Sequence, residues 1–310
     1  MTNSKTLFRL GAFLATLLLV PTSSIYAQTK PADSSTATFT VTAVGKKQEA
    51  PPISKDDVQL FQGKERKQIV DWKKGEELYL AILIDDSIET TAGSQWDYLK
   101  QFILAEPPTT SIALGYIRDN TVQIAQNFTQ NHELVAKAIR LPIGTGALGS
   151  SPYLATIDLL KGWPNTGPRR SILLITSGID YFRGGGFGPV YPDVDPLIQR
   201  AERQNTNIWS IYYPSSGHRG RSYYQVNTAQ INMDKVAQDT GAESYYLAFG
   251  QPVTIMPYLQ EISDHLNNQY LLTFAGSGGA KGKYEHMKAK TELPDVEFMT
   301  PAAVFLPPTS

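Results

Sequence analysis

The stretch Leu78 to Glu89, LYLAILIDDSIE, constrains this chain more than any other. Leu78, Leu80, Ala81, Ile82, Leu83 and Ile84 form a short continuous apolar run. That length and β-branched content predict a strand buried on both faces, as in a parallel sheet. The run stops abruptly at Asp85, Asp86, Ser87 and Glu89, so acids and a hydroxyl fall where the strand leaves the sheet. Ligands of open α/β sheets bind outside the carboxyl ends of the strands, which makes this tip the first candidate for chemistry.

The remainder of the chain from Leu78 alternates strand and helix patterns. Ser94 is placed to cap a helix with Trp96, Leu99, Phe102 and Ile103 on one face, and Pro107-Pro108 stops it. SIALGYI (Ser111 to Ile117) reads as a strand, Thr121 to Phe128 as its hairpin partner, and Asn131 as the cap of a further helix. Ser151 followed by Pro152 is a helix start. SILLIT (Ser171 to Thr176) is a second buried strand, and Asn207 to Tyr213 a third. Thr228 to Gln238 and Pro257 to Leu266 read as helices. The order predicts an α/β, Rossmann-like domain with a mostly parallel central sheet and helices on both faces. TFTVTAV (Thr38 to Val44), DVQLF and RKQIVDW precede it, and QYLLTF and two further strands follow. These predict a small β-sandwich-like element built from the N- and C-terminal strands.

With 310 residues, a net charge of −1, 41% hydrophobic and 18% charged residues, the composition is that of a globular protein without a basic surplus for nucleic acid. The N-terminus has Lys5 and Arg9, an apolar run from Leu10 to Val20, and Ile25-Tyr26-Ala27 before Gln28. This is the pattern of a cleaved signal peptide over 1–27, its apolar run being short for a membrane span. The expected location is secreted or periplasmic, with no transmembrane segment after cleavage. There is no cysteine, which excludes disulfides, thiol nucleophiles and thiolate metal sites.

Asp85-Asp86-Ser87-Ile88-Glu89 resembles the D-x-S-x-S motif that opens the metal-ion-dependent adhesion site of von Willebrand factor A (VWA) domains. FTVTAVGKK…ISKDDVQLFQGKERKQIVDW and LQEISDHLNNQYLLTF…GKYEHMKAK resemble the flanking segments of acidobacterial-type VWFA-related proteins. The corresponding division is a linker over 28–36, an N-terminal β-segment over 37–76, the VWA-like domain over 77–268 and a C-terminal β-segment over 269–310. The resemblance implies an exported protein–protein interaction module without catalytic activity. It also implies a degenerate metal site from Asp85, Ser87, Glu89, Ser151 and Asp180. Glu89 replaces the motif's second serine, and Ser177-Gly178 replaces the third loop's Asp-Gly pair. No resident cofactor is expected; Mg²⁺, Mn²⁺ or Ca²⁺ are the ions these hard oxygen ligands would take.

Two glycine- and aromatic-rich loops fall on the same sheet edge. The first contributes Arg183, Phe187 and Tyr191, and the second Arg219, Arg221, Tyr223 and Tyr224, as candidates to contact a protein partner. The alternatives are a structural envelope component whose aromatics fold inward, or a metal-assisted hydrolase using Asp85, Asp86 and Glu89. No G-x-S-x-G elbow is present, and GSGGAKGK (Gly276 to Lys283) lacks the spacing of a phosphate loop. His132, His218, His265 and His286 are scattered over unrelated elements.

Overall fold

The computed structural model describes residues 36–46, 50–147, 149–163, 169–183, 190–217, 222–246, 250 and 252–308. The expected signal peptide lies outside them. In chain order the elements begin with β1 (Thr36–Gly45), β2 (Val58–Gln62), β3 (Glu65–Lys67), β4 (Ile69–Lys74) and β5 (Leu78–Asp85). Helix α1 (Trp96–Ala105), the hairpin β6 (Thr110–Arg118) and β7 (Thr121–Thr129), α2 (His132–Lys137) and α3 (Pro152–Gly162) follow. Then come β8 (Arg170–Thr176), α4 (Val194–Arg203), β9 (Thr206–Tyr212), α5 (Tyr223–Asp239), β10 (Ser244–Tyr245) and α6 (Met256–Asn267). The chain closes with β11 (Gln269–Ala275), β12 (Lys283–Glu285), β13 (Met287–Thr291), β14 (Val296–Met299) and β15 (Val304–Leu306).

The buried run is central. β5 pairs in parallel with β6 on one side and β8 on the other, in a six-stranded sheet of order β10-β9-β8-β5-β6-β7. Only the edge strand β7 is antiparallel. Alternation along β5 explains the continuous apolar sequence. Leu78, Leu80, Ile82 and Ile84 join a core with residues of α1, α2 and α6, while Ala81 and Leu83 join one with residues of α3 and α4. Two local expectations differ. Ser94 does not cap α1; its hydroxyl donates to the Thr91 carbonyl within a preceding 3₁₀ turn, and Gln95 holds the cap position. Helix α5 begins at Tyr223, five residues before the expected start, so Tyr223 and Tyr224 stand on its first turn.

The terminal strands form the expected small sandwich. A sheet of order β14-β1-β11-β4 faces one of order β13-β2-β3 across a core that includes Phe39, Val41, Leu60, Leu272 and Phe274. The RKQIVDW segment is not one strand. β3 pairs with β2 and β4 with β11, so the chain changes sheets at Gln68. Trp72 of β4 stacks on Tyr270 of β11 with ring centroids 4.7 Å apart, and its indole N–H donates to the Ile53 carbonyl.

A buried polar junction ties the two sheet systems together. Arg169, just before β8, donates to the carbonyls of Glu76, Glu77 and Leu266 and to the side-chain oxygen of Gln269. The Gln269 amide donates on to Thr42 and Asn207, and Asn207 donates to the Thr240 carbonyl. A Cβ at Gly75 would overlap the Arg169 side chain. Arg169→Met strands several buried acceptors, and urea denaturation should show a loss of about 3 kcal/mol.

Near this junction, Glu106 at the end of α1 accepts a hydrogen bond from Ser263 of α6. Burial pushes its carboxyl from the ordinary 4.5 up to about 7, against the opposing pull of Ser263 and Arg169. The folded state therefore binds a proton more tightly than the unfolded chain. That contribution is complete below pH 4.5 and is lost as the pH rises through about 7. Across this range the wild type should lose on the order of 3 kcal/mol relative to Glu106→Gln, measured by urea denaturation at several pH values.

Candidate functional site

The site grows from the carboxyl end of β5. Asp85 is buried, and its two oxygens are taken: Oδ1 accepts the Ser87 amide at 2.9 Å and Oδ2 accepts the Thr176 hydroxyl at 2.7 Å. Burial raises its pKa, and these two donors oppose the rise. Ser87 is buried, and its hydroxyl has no hydrogen-bond partner among the described residues. Glu89 is half-buried and turns toward the following 3₁₀ turn, where the Thr91 hydroxyl lies 3.4 Å from its Oε2.

Two further loops bring Ser151 and Asp180 together. Ser151 caps α3, its hydroxyl accepting the Leu154 amide at 3.3 Å. Asp180 accepts the Arg183 amide through Oδ1, while its buried Oδ2 has no partner among the described residues. Burial raises the Asp180 pKa, opposed by the Arg183 amide and the neighbouring Ser151 hydroxyl. Asp85, Glu89 and Asp180 do not converge as a three-carboxylate set.

Asp86, invisible to solvent, makes a two-pronged ion pair with Arg140 at 2.6 and 2.7 Å. The Arg140 guanidinium lies 3.6 Å from the Tyr116 ring centroid, and its main chain bonds Tyr116 and Trp96. Sequence reasoning missed Arg140. It lies 54 positions from Asp86, and only the fold makes them neighbours.

The loops are pinned to one another through main-chain bonds. The Ser216 amide donates to the Ser87 carbonyl, Glu89 to Pro214, Gly144 to Asp86 and Tyr181 to Ser150. Tyr181 is buried and its hydroxyl bonds Ser215. Tyr191, expected at the recognition surface, is 1% exposed and packs against Tyr153 with centroids 5.7 Å apart. It is therefore an internal anchor, its amide donating to the Asn232 side chain of α5 while its ring packs on Tyr153 of α3. Phe187, Arg219 and Arg221 lie outside the described residues. Arg183 is partly exposed and pairs with Asp193 at 3.3 Å. Tyr223, Tyr224 and Phe182 are 69%, 51% and 51% exposed.

The first strand of the sheet is central and carries the acid–hydroxyl loop. Its hairpin occupies one edge, and the three later strands follow in order on the other side. This is the α/β, Rossmann-like arrangement that the sequence predicts, a mostly parallel sheet with helices on both faces. No protein-family model and no curated protein matches the sequence. Among solved structures, a von Willebrand factor type A protein from Catenulispora acidiphila is similar at 10% identity and a TM-score of 0.44, over 81% of this chain and 76% of that one. The manganese-loaded TRAP protein of Plasmodium vivax aligns at 10% identity and 0.44, over 74% and 95% of the two chains. An aerotolerance-related membrane protein of Bacteroides fragilis, carrying multiple mutations to serine, aligns at 10% and 0.43, over 61% and 98%.

Within this α/β fold the Asp86–Arg140 pair is a stability element. Arg140→Met leaves a buried carboxylate without its counter-ion and should lower stability by about 3 kcal/mol in urea denaturation, with Asp86→Asn restoring part of the loss.

Proposed function

We propose that this chain is an exported VWA-type protein-interaction module without catalytic activity, binding a protein partner at the loop edge beyond β5. The observation that carries the reading is the exposure of Phe182, Tyr223 and Tyr224 beside loops held by main-chain bonds. Aromatic side chains on a pre-ordered scaffold bury large area at small entropic cost, as at interface hot spots. Arg183, partly exposed and 5.2 Å from the Phe182 ring centroid, adds a cation to the same surface.

The five oxygen ligands fit a resident cation poorly. Both Asp85 oxygens are engaged, Ser151 caps a helix, and Glu89 accepts from the Thr91 hydroxyl. Of these five, only Ser87 and Asp180 hold a buried oxygen without a partner among the described residues. The edge therefore works as a degenerate adhesion site whose recognition rests on side chains and not on a bridging Mg²⁺, Mn²⁺ or Ca²⁺ ion. The metal-assisted hydrolase reading weakens with it, since Asp86 is committed to Arg140. The inward Tyr181 and Tyr191 suit a purely structural envelope component equally well; the outward aromatics favour binding.

The test is capture from an envelope extract of the producing cell by wild type and by the double variant Phe182→Ala/Tyr223→Ala. The double variant should retain the wild-type Tm and capture the partner about tenfold less well. Equal capture would end this reading. Mg²⁺, Mn²⁺ and Ca²⁺ should produce no rise in Tm that Ser87→Ala abolishes.

A further inference from the structure

A second group of side chains, sharing no residue with the loop edge, has metal-ligating chemistry. Glu243 precedes the short edge strand β10, and Glu261 and His265 lie one turn apart on α6. One ligand atom from each falls within 4.8 Å of the others. His265 is buried, Glu243 half-buried and Glu261 exposed. A cavity of about 320 Å³ adjoins them, lined by Glu261, Asp264, His265 and Asn268 on the helix side and by Val44 and Gly45 of β1 opposite.

The charge balance is unusual. Glu243 and Glu261 converge here, Asp264 lies beside Glu261 on the cavity wall, and none of the three forms an ion pair with a lysine or arginine among the described residues. Burial raises the pKa of Glu243, with Glu261 the next cause; burial and then Asp264 raise that of Glu261. Burial holds the His265 pKa down, favouring the neutral imidazole that metals bind. Around them is an orienting shell. The Tyr245 hydroxyl lies 3.4 Å from both Glu243 Oε2 and His265 Nδ1. Trp209, fully buried, stacks on His265 at 5.4 Å, and its indole N–H has no acceptor among the described residues.

We infer that Glu243, Glu261 and His265 form a site for a divalent transition-metal cation of the Zn²⁺ class. One imidazole and two carboxylates are the borderline donor set such ions take, whereas Mg²⁺ and Ca²⁺ prefer oxygen alone. Tetrahedral ligands about 2.1 Å from the ion sit about 3.4 Å apart, so atoms already within 4.8 Å of one another need close by no more than about 1.4 Å. Glu261 is exposed and can make that movement. Glu261 and His265 also line the cavity, with Asp264 on its wall, so water could complete the ion's shell from that side. The bound ion would tie the two-residue strand β10 to α6, the last helix of the α/β layer.

The experiment is titration of metal-free protein with Zn²⁺ alone, followed by calorimetry and thermal unfolding, with Co²⁺ absorption reporting nitrogen and oxygen coordination. One Zn²⁺ per chain should bind and raise the Tm. Affinity should fall at least about tenfold in Glu261→Gln, whose exposed side chain leaves the fold intact, and in Glu243→Gln. His265→Gln should remove the nitrogen signature from the Co²⁺ spectrum; should that variant fail to fold, the two glutamate variants decide. Ser87→Ala and Asp180→Asn should bind as wild type does, which separates this site from the loop edge. Absence of saturable binding, binding unchanged by Glu261→Gln, or binding lost in Ser87→Ala would overturn the assignment.

Discussion

The structure depends on one buried cation. Arg169 stands at the entrance to β8 and holds the carbonyls of Glu76 and Glu77, where the chain enters the parallel sheet. The same guanidinium holds Leu266, where the chain leaves α6 for the small sandwich. Burial lowers its pKa only to about 10, so the charge is kept at any ordinary pH. A charge there is costly unless its donors are met, and here carbonyls and Gln269 meet them. The geometry that satisfies this arginine fixes the entry and exit of the α/β layer together. The loop edge then stands at the far end of β5, on a frame whose base these hydrogen bonds tie together.

Much of this was legible because burial imposes a simple code. β5 and β8 are apolar without alternation, since one face meets α1 and α6 and the other α3 and α4. Ser151-Pro152 and Asn131 announced their helices because a cap is a local bond. Interactions between distant segments were not legible. Nothing in the sequence pairs Arg140 with Asp86, or gathers Glu76, Glu77, Leu266 and Gln269 around Arg169. Tyr191 carried the composition of a contact residue and yet is buried, because composition does not tell which way a loop turns. Tyr223 and Tyr224 were read in a loop; the helix reaches back to include them, since nothing at Thr228 stops it from starting earlier.

At the loop edge the acids of the strand tip are committed to the fold itself. In this chain Thr176 and the Ser87 amide satisfy Asp85, and Arg140 neutralises Asp86. The acids at the strand tip thus act as struts for loop geometry. Their neighbours Ser87 and Asp180 keep an oxygen each in a buried setting, poised near the surface where Phe182 and Tyr223 stand outward.

The pairing of β1 has a consequence for how the chain is made. Thr38 bonds Thr273 across a separation of 235 residues, and β14, the other neighbour of β1, comes later still. At ordinary elongation rates, β1 waits ~10–50 s after leaving the ribosome before β11 exists to receive it. Until then Phe39 and Val41 have no sheet to enter, and the small sandwich cannot close. The α/β layer has its strands and helices between these two segments and can assemble in the interval. The terminal sandwich is therefore the last part to close, a seal applied when synthesis is nearly finished.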